Sequence, residues 1–274
     1  MDGPLRPGPA RGVPARGGDG PGVSAVTQVR PAGRRDASLW VVRAPAPDAP
    51  PDAALLGVLD PVERRRAAAL RRPADRALYV AAHGTLRRLL GDRLGLPPAE
   101  VALTRLPCPG CGGPHGRPAV AGPAGDRLHF SLAHTAGLAL LALAGRPVGV
   151  DVERVPGPRL AEDAARALHH AERAELARLP PGARPGAFAH CWTRKEAYGK
   201  ATGEGLSGEA LRGLYLGTGP RPATVPGWRV TDVEVPPGWA AACAVREESR
   251  VSGPGVPRGR RPARYASTGS RDRR

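Results

Sequence analysis

LHFSLAHTAGLALLALAGRPVGVDVE, residues 128–153, is the stretch that decides the fold. Residues 128–131 and 138–143 read as apolar strands on either side of a break at His134 to Gly137, and Pro147 leads into a third strand over 148–153. Upstream, SLWVVR at 38–43 is another short apolar strand. Helices are expected over 59–71 and 74–94, with Asp60 as N-cap, Pro61 in the first turn and Pro73 between them. In the second of these Leu78, Ala81, Ala82, Leu86, Leu89 and Leu90 share one face. Downstream, helical patterns cover about 160–179 and 184–202, and strand-like segments follow at 211–216, 228–235 and 239–245.

Both halves thus run helix, helix, strands, and each has an apolar strand opening just after a glycine, Gly137 or Gly238. The expectation is an α+β fold of two similar subdomains, 38–145 and 146–247, joined near Gly145. The flanks 1–37 and 248–274 are Pro, Gly, Ala and Arg without apolar period, and read as disordered tails. Neither end has the apolar run of a signal peptide and no stretch reaches transmembrane length, so the expected location is cytoplasmic, with no membrane partner.

The formal charge of +16 divides into +3 for residues 1–37, +6 for 248–274 and +7 for the rest. A basic folded region suits an anionic ligand or an acidic protein partner. Nucleic acid is the weaker alternative, because the Arg-rich tails lack interleaved aromatics for stacking. Of 41 basic residues only two are lysines, Lys195 and Lys200, five positions apart. That clustering points to a need for a compact ammonium in this segment.

In Gly149-Val150-Asp151-Val152-Glu153, strand alternation places both carboxylates on one face. Solvated acids at a strand end are the plain reading; a cation between them is the sharper one. Trp192, Glu196 and Lys200 stack at i, i+4 and i+8 of a helix. Either Glu196 and Lys200 form a surface pair, or the tryptophan marks a partly buried face whose charges need partners. Three carboxylate oxygens suit Mg²⁺, which keeps waters and shares phosphate oxygens. His134 lies at the break between strands, as a binding group or a satisfied turn residue. Arg117, in Gly-Arg-Pro, and the arginines at 64–66, 71, 72 and 76 offer guanidinium groups for phosphate. Cys108-x-x-Cys111 with His115 has half the spacing of a zinc knuckle, and no second pair follows at a convincing distance.

Taken in order, Gly116-Arg117-Pro118, Ser131 to Thr135 (SLAHT), Gly149 to Glu153 (GVDVE) and Trp192 to Lys200 (WTRKEAYGK) resemble the Sfp-type phosphopantetheinyl transferases over roughly 59–245. The resemblance implies two α+β subdomains related by a pseudo-twofold axis, with the active site between them. It implies Mg²⁺ held by Asp151, Glu153 and Glu196, with Glu196 also as base, directly or through a metal-bound water. Lys200 would contact phosphate; Arg64, Arg66, Arg76, Arg117, Ser131, His134 and Asp151 would contact coenzyme A. The implied reaction moves 4'-phosphopantetheine from coenzyme A to a serine of an acyl or peptidyl carrier protein and releases adenosine 3',5'-bisphosphate. Leu78 stands where the family usually has an arginine, and Arg76 is the candidate replacement. The alternatives are another Mg²⁺ enzyme on a nucleotide or diphosphate, such as a hydrolase, and a basic nucleic-acid-binding protein.

Overall fold

The computed structural model describes residues 25–29, 36–46, 49–114, 116–205 and 208–248. Two antiparallel sheets carry the fold. The first has the order β1 (Val26–Val29), β2 (Ser38–Arg43), β6 (Leu138–Ala144), β5 (His129–Thr135). The second has the order β7 (Val148–Arg154), β9 (Trp239–Arg246), β8 (Trp228–Asp232). Leaving β1 aside, the same order recurs in each half: the first strand pairs with the last, and the last with the one before it. The two central strands, LALLALA and WAAACAVR, are apolar nearly throughout because layers cover both of their faces.

Helix α1 (Ala53–Leu56) precedes α2 (Pro61–Ala69), which starts on a capping box in which the Asp60 side chain accepts from Glu63 N and the Glu63 side chain accepts from Asp60 N. Helix α3 (Pro73–Leu94) opens on a proline and ends on Gly95 at φ 67°, a left-handed turn that glycine takes without steric cost. Its apolar face packs Leu78, Ala82, Leu86 and Leu90 against Trp40, Val42, Leu141 and Leu143 of the first sheet. The opposite face of that sheet, with Leu39, Val41, Leu138 and Leu140, shares a core with Val148, Val150, Val152 and Cys243 of the second. A hairpin of β3 (Leu103–Arg105) and β4 (Pro118–Val120) completes the first half.

In the second half, α4 (Pro158–Ala165) and α5 (His170–Arg178) form in place of the one helix expected over 160–179. Helix α6 (Arg184–Thr202) then lies on the outer face of the second sheet. The contact is a seam of small residues, Ala197 and Ala201 on the helix against Ala242 and Ala244 on β9. Gly149 completes it: a Cβ there would stand 2.1 Å from Ala197 O and 2.4 Å from Ala201 N. Glycine is required at this strand position by the nearness of another backbone.

Three expectations are corrected. The tail over 1–37 is not wholly without structure, since Val26–Val29 pairs along the whole of its length with β2 and covers an otherwise open sheet edge. The strand expected at 211–216 is instead the short helix α7 (Gly208–Gly213) and a loop. His134 does not sit in a break: β5 runs to Thr135, and the turn to β6 is only Ala136 and Gly137, the latter at φ 86°. The rest of 1–37, the tail from 249 and His115 lie outside the described residues. Among the described residues no helix is long and apolar enough to cross a membrane.

Candidate active site

Between the two halves lies a cleft of about 700 Å³. Arg66 of α2, Tyr79 and His83 of α3, Arg105 of β3, Arg117, Ser131 and His134 line it from the first half. Gly199, Lys200, Gly203 and Gly205 line it from the second. The two acidic side chains on its first-half wall, Asp60 and Glu63, are already engaged: buried Arg87 pairs with both, reaching Asp60 Oδ2 at 2.6 Å. The remaining charge on the wall is therefore mainly cationic, as an anionic ligand requires.

Helix α6 and strand β7 meet at the inner end. Lys200 Nζ donates to Asp151 Oδ1 at 2.6 Å, which ties the two sequence motifs together. Asp151 is buried, and its Oδ2 has no hydrogen-bond partner. Two residues along the same strand face is Glu153, half-buried; one helical turn before Lys200 is Glu196, also half-buried. Burial raises the pKa of all three carboxyls above the ordinary range. Repulsion from Asp151 adds to the rise at Glu153 and Glu196, while Lys200 works against it at each of the three. A hydrogen bond with Thr135 also eases the charge on Glu153.

The donor set suits a hard cation: carboxylate oxygens that repel one another, one of them buried and unpaired. Among the described residues no three acidic, histidine or cysteine side chains are gathered as a ready-made metal cage. Mg²⁺ seldom needs one, since it is bound through one or two carboxylates together with waters and substrate phosphates.

On the other wall His134 of β5 lines the cleft. Lost solvation lowers its pKa first, and the nearby His83 and Lys200 charges lower it further. Burial likewise weakens the basicity of Arg117, whose side chain packs over Gly203 at the end of α6. A bound anion would relieve both effects. Buried Ser131 accepts a hydrogen bond from Val150 N at 3.0 Å, so the strand that carries Asp151 is fastened to the strand that carries His134.

The expected residues divide accordingly. Arg66, Arg117, Ser131, His134 and Lys200 share the cleft, with Asp151 bonded to Lys200 behind it. Arg64 is exposed and not among the lining residues. Arg76 is turned away: its Nη2 donates to Leu70 O at 2.9 Å, closing a carbonyl at the end of α2. Lys195 does not join Lys200. It is fully buried, pairs with Glu172 Oε2 at 2.9 Å and donates to the Leu211 and Leu214 carbonyls. Tyr79, His83 and Arg105 went unread in the sequence. Tyr79 and His83 are one helical turn apart and their rings stack at 4.0 Å, a spacing indistinguishable from a core pair without the structure.

A family model for the 4'-phosphopantetheinyl transferase superfamily matches residues 147–216, which hold β7, α6 and the Asp151–Lys200 pair. The 4'-phosphopantetheinyl transferase HetI of Nostoc sp. is 32% identical over 184 residues, spanning 63% of this chain and 72% of that protein. The chain belongs to the 4'-phosphopantetheinyl transferase family. A 4'-phosphopantetheinyl transferase of Bacillus subtilis is 30% identical over 130 residues, 44% of this chain and 54% of its own length. Membership makes the chain a transferase, and it places the Asp151–Lys200 contact inside the segment that the family model covers.

Proposed function

We propose that this transferase moves 4'-phosphopantetheine from coenzyme A to the serine hydroxyl of an apo acyl or peptidyl carrier protein, releasing adenosine 3',5'-bisphosphate. The observation that carries the reading is the cleft itself, which runs from cationic Arg66, Arg105 and Arg117 to the Asp151–Lys200 pair with its unpaired carboxylate oxygen.

Arg66, Arg117 and His134 bind the phosphates of coenzyme A, and Ser131 keeps their wall in register with β7. Asp151, Glu153 and Glu196 would hold Mg²⁺, which when bound neutralises the diphosphate and the charge that grows on the leaving phosphate. Lys200 exchanges part of its contact with Asp151 for a phosphate oxygen and stabilises the same charge. Glu196 takes the serine proton as general base. The serine oxygen then bonds to the phosphorus that bears the pantetheine arm, and the bond from that phosphorus to the oxygen of the nucleotide 5'-phosphate breaks. The net +7 over 38–247 suits an acidic carrier surface. The strand order shared by the halves supports two subdomains related by a pseudo-twofold axis.

The test is incubation with coenzyme A, Mg²⁺ and a panel of apo carrier proteins, followed by intact-mass measurement. A phosphopantetheine mass gain on at least one carrier is expected. No gain on any carrier would sink the reading, and coenzyme A cleavage without a carrier would assign a hydrolase instead.

A further inference from the structure

The four cysteines are all thiols, and they live in two kinds of surroundings. Cys191 and Cys243 are buried, and burial raises both thiol pKa values, to about 12 for Cys243. Cys108 and Cys111 instead share a tight turn in the loop between β3 and β4. The turn is closed by Gly112 N donating to Cys108 O at 2.7 Å and Cys108 N donating to Gly113 O at 2.8 Å. Gly112, at φ 73°, takes the left-handed conformation that lets the chain reverse there. Backbone N–H groups of Cys111 and Gly110 point at the Cys108 sulfur, and the Cys111 thiol is within hydrogen-bonding reach of it. These donors lower the Cys108 pKa, with the charge of Glu204 acting in the opposite sense. Cys108 is also buried, beneath the turn, whereas Cys111 is exposed.

We propose that Cys108 and Cys111 form a reversible dithiol–disulfide site that exchanges with low-molecular-weight disulfides. The exposed Cys111 thiolate attacks such a disulfide, forms a mixed disulfide and releases one thiol. The Cys108 thiolate, held beside it by the two N–H donors, then attacks the Cys111 sulfur. The second thiol leaves and the intramolecular bond closes. Two protein thiols thereby lose two electrons and two protons, and the external disulfide is reduced to two thiols. A stabilised thiolate next to an exposed partner is the arrangement this chemistry needs. A closed structural zinc site needs four ligands, and Cys108 and Cys111 supply two.

The site adjoins the substrate wall. Leu106 N donates to Arg117 O at 3.0 Å and Arg105 Nη1 donates to Gly116 O at 3.1 Å, so both cleft arginines are anchored at the base of this loop.

The experiment treats the reduced full-length chain with oxidised glutathione, alkylates the remaining thiols and maps the peptides. The expected result is one Cys108–Cys111 disulfide, reversed by dithiothreitol, with Cys191 and Cys243 alkylated only after unfolding. Cys108→Ser should stop at a mixed disulfide on Cys111. The proposal is overturned if Cys108 and Cys111 both survive oxidation as thiols, if Cys108→Ser gains no glutathione, or if the purified protein carries one equivalent of zinc that shields both. None of these outcomes depends on carrier-protein activity, so the site and the proposed reaction fail independently.

Discussion

Replacing Gly149 by alanine adds one methyl group where two backbone atoms of α6 already stand, 2.1 Å and 2.4 Å from the new carbon. Ordinary contact begins near 3.4 Å, so relief takes more than about an ångström of separation between β7 and α6. Neither neighbour is a side chain that can swing aside. Overpacking of this kind costs about 1–3 kcal/mol, and a clash against backbone belongs at or above the top of that range. For a folded region of this size about 3 kcal/mol lowers Tm by roughly 6–12 °C. The displacement also carries Glu196 and Lys200 away from Asp151, and about 1 Å of misplacement costs roughly 100-fold in turnover. Thermal unfolding followed by circular dichroism, beside a carrier-loading rate at saturating coenzyme A, measures both. A Gly149→Ala protein with unchanged Tm and turnover would refute the reasoning that this glycine sets the distance between helix and strand.

Glu196→Gln should lower turnover by about 10²–10⁴, the scale of a lost general base, with the fold intact by circular dichroism. The same variant should be more stable than the parent in EDTA near neutral pH. The folded-state pKa of Glu196 is raised, so its carboxyl contributes stability that is present below the unfolded value near 4.5 and lost as pH rises through the folded value. The gain in Tm should therefore shrink to nothing as pH falls below about 4.5. A variant less stable than the parent at neutral pH in EDTA would contradict the burial cost, and the repulsion from Asp151, inferred for the Glu196 charge. Lys195→Met leaves buried Glu172 without its ammonium and should cost about 3–5 kcal/mol by urea unfolding. Adding Glu172→Gln, which removes the stranded charge but can still accept from Leu216 N, should recover part of that loss; no recovery would mean the charge was not the cause. Arg117→Met should raise the KM for coenzyme A at least tenfold with kcat nearly unchanged, and an unchanged KM would remove Arg117 from the binding wall.

Much of the architecture was legible where a pattern had only one partner to satisfy. The capped start of α2, the long face of α3 and the apolar runs of β6 and β9 formed close to where the residues placed them. Asp151, Glu196 and Lys200 were legible because strand and helix periods assign them to faces that then meet. The failures share a cause, demands made by distant partners. Residues 211–216 are apolar enough to read as strand-like, yet the buried Lys195 ammonium takes the Leu211 and Leu214 carbonyls, and a helical turn and loop present them. Lys195 and Lys200 are close in sequence, but five helical positions turn them to different sides. Arg76 was spent on a helix end, and Val26–Val29 is too short to stand out from its Gly- and Pro-rich surroundings.

The bond from Val150 N to Ser131 Oγ bears on how the cleft can move. Only residues 145–147 separate β6 from β7, and the strands on either side belong to one shared core. A hinge needs a segment that can absorb a rotation, and here the chain crosses between the halves at the place where they are stitched together most tightly. The halves therefore have little freedom to swing apart as rigid jaws.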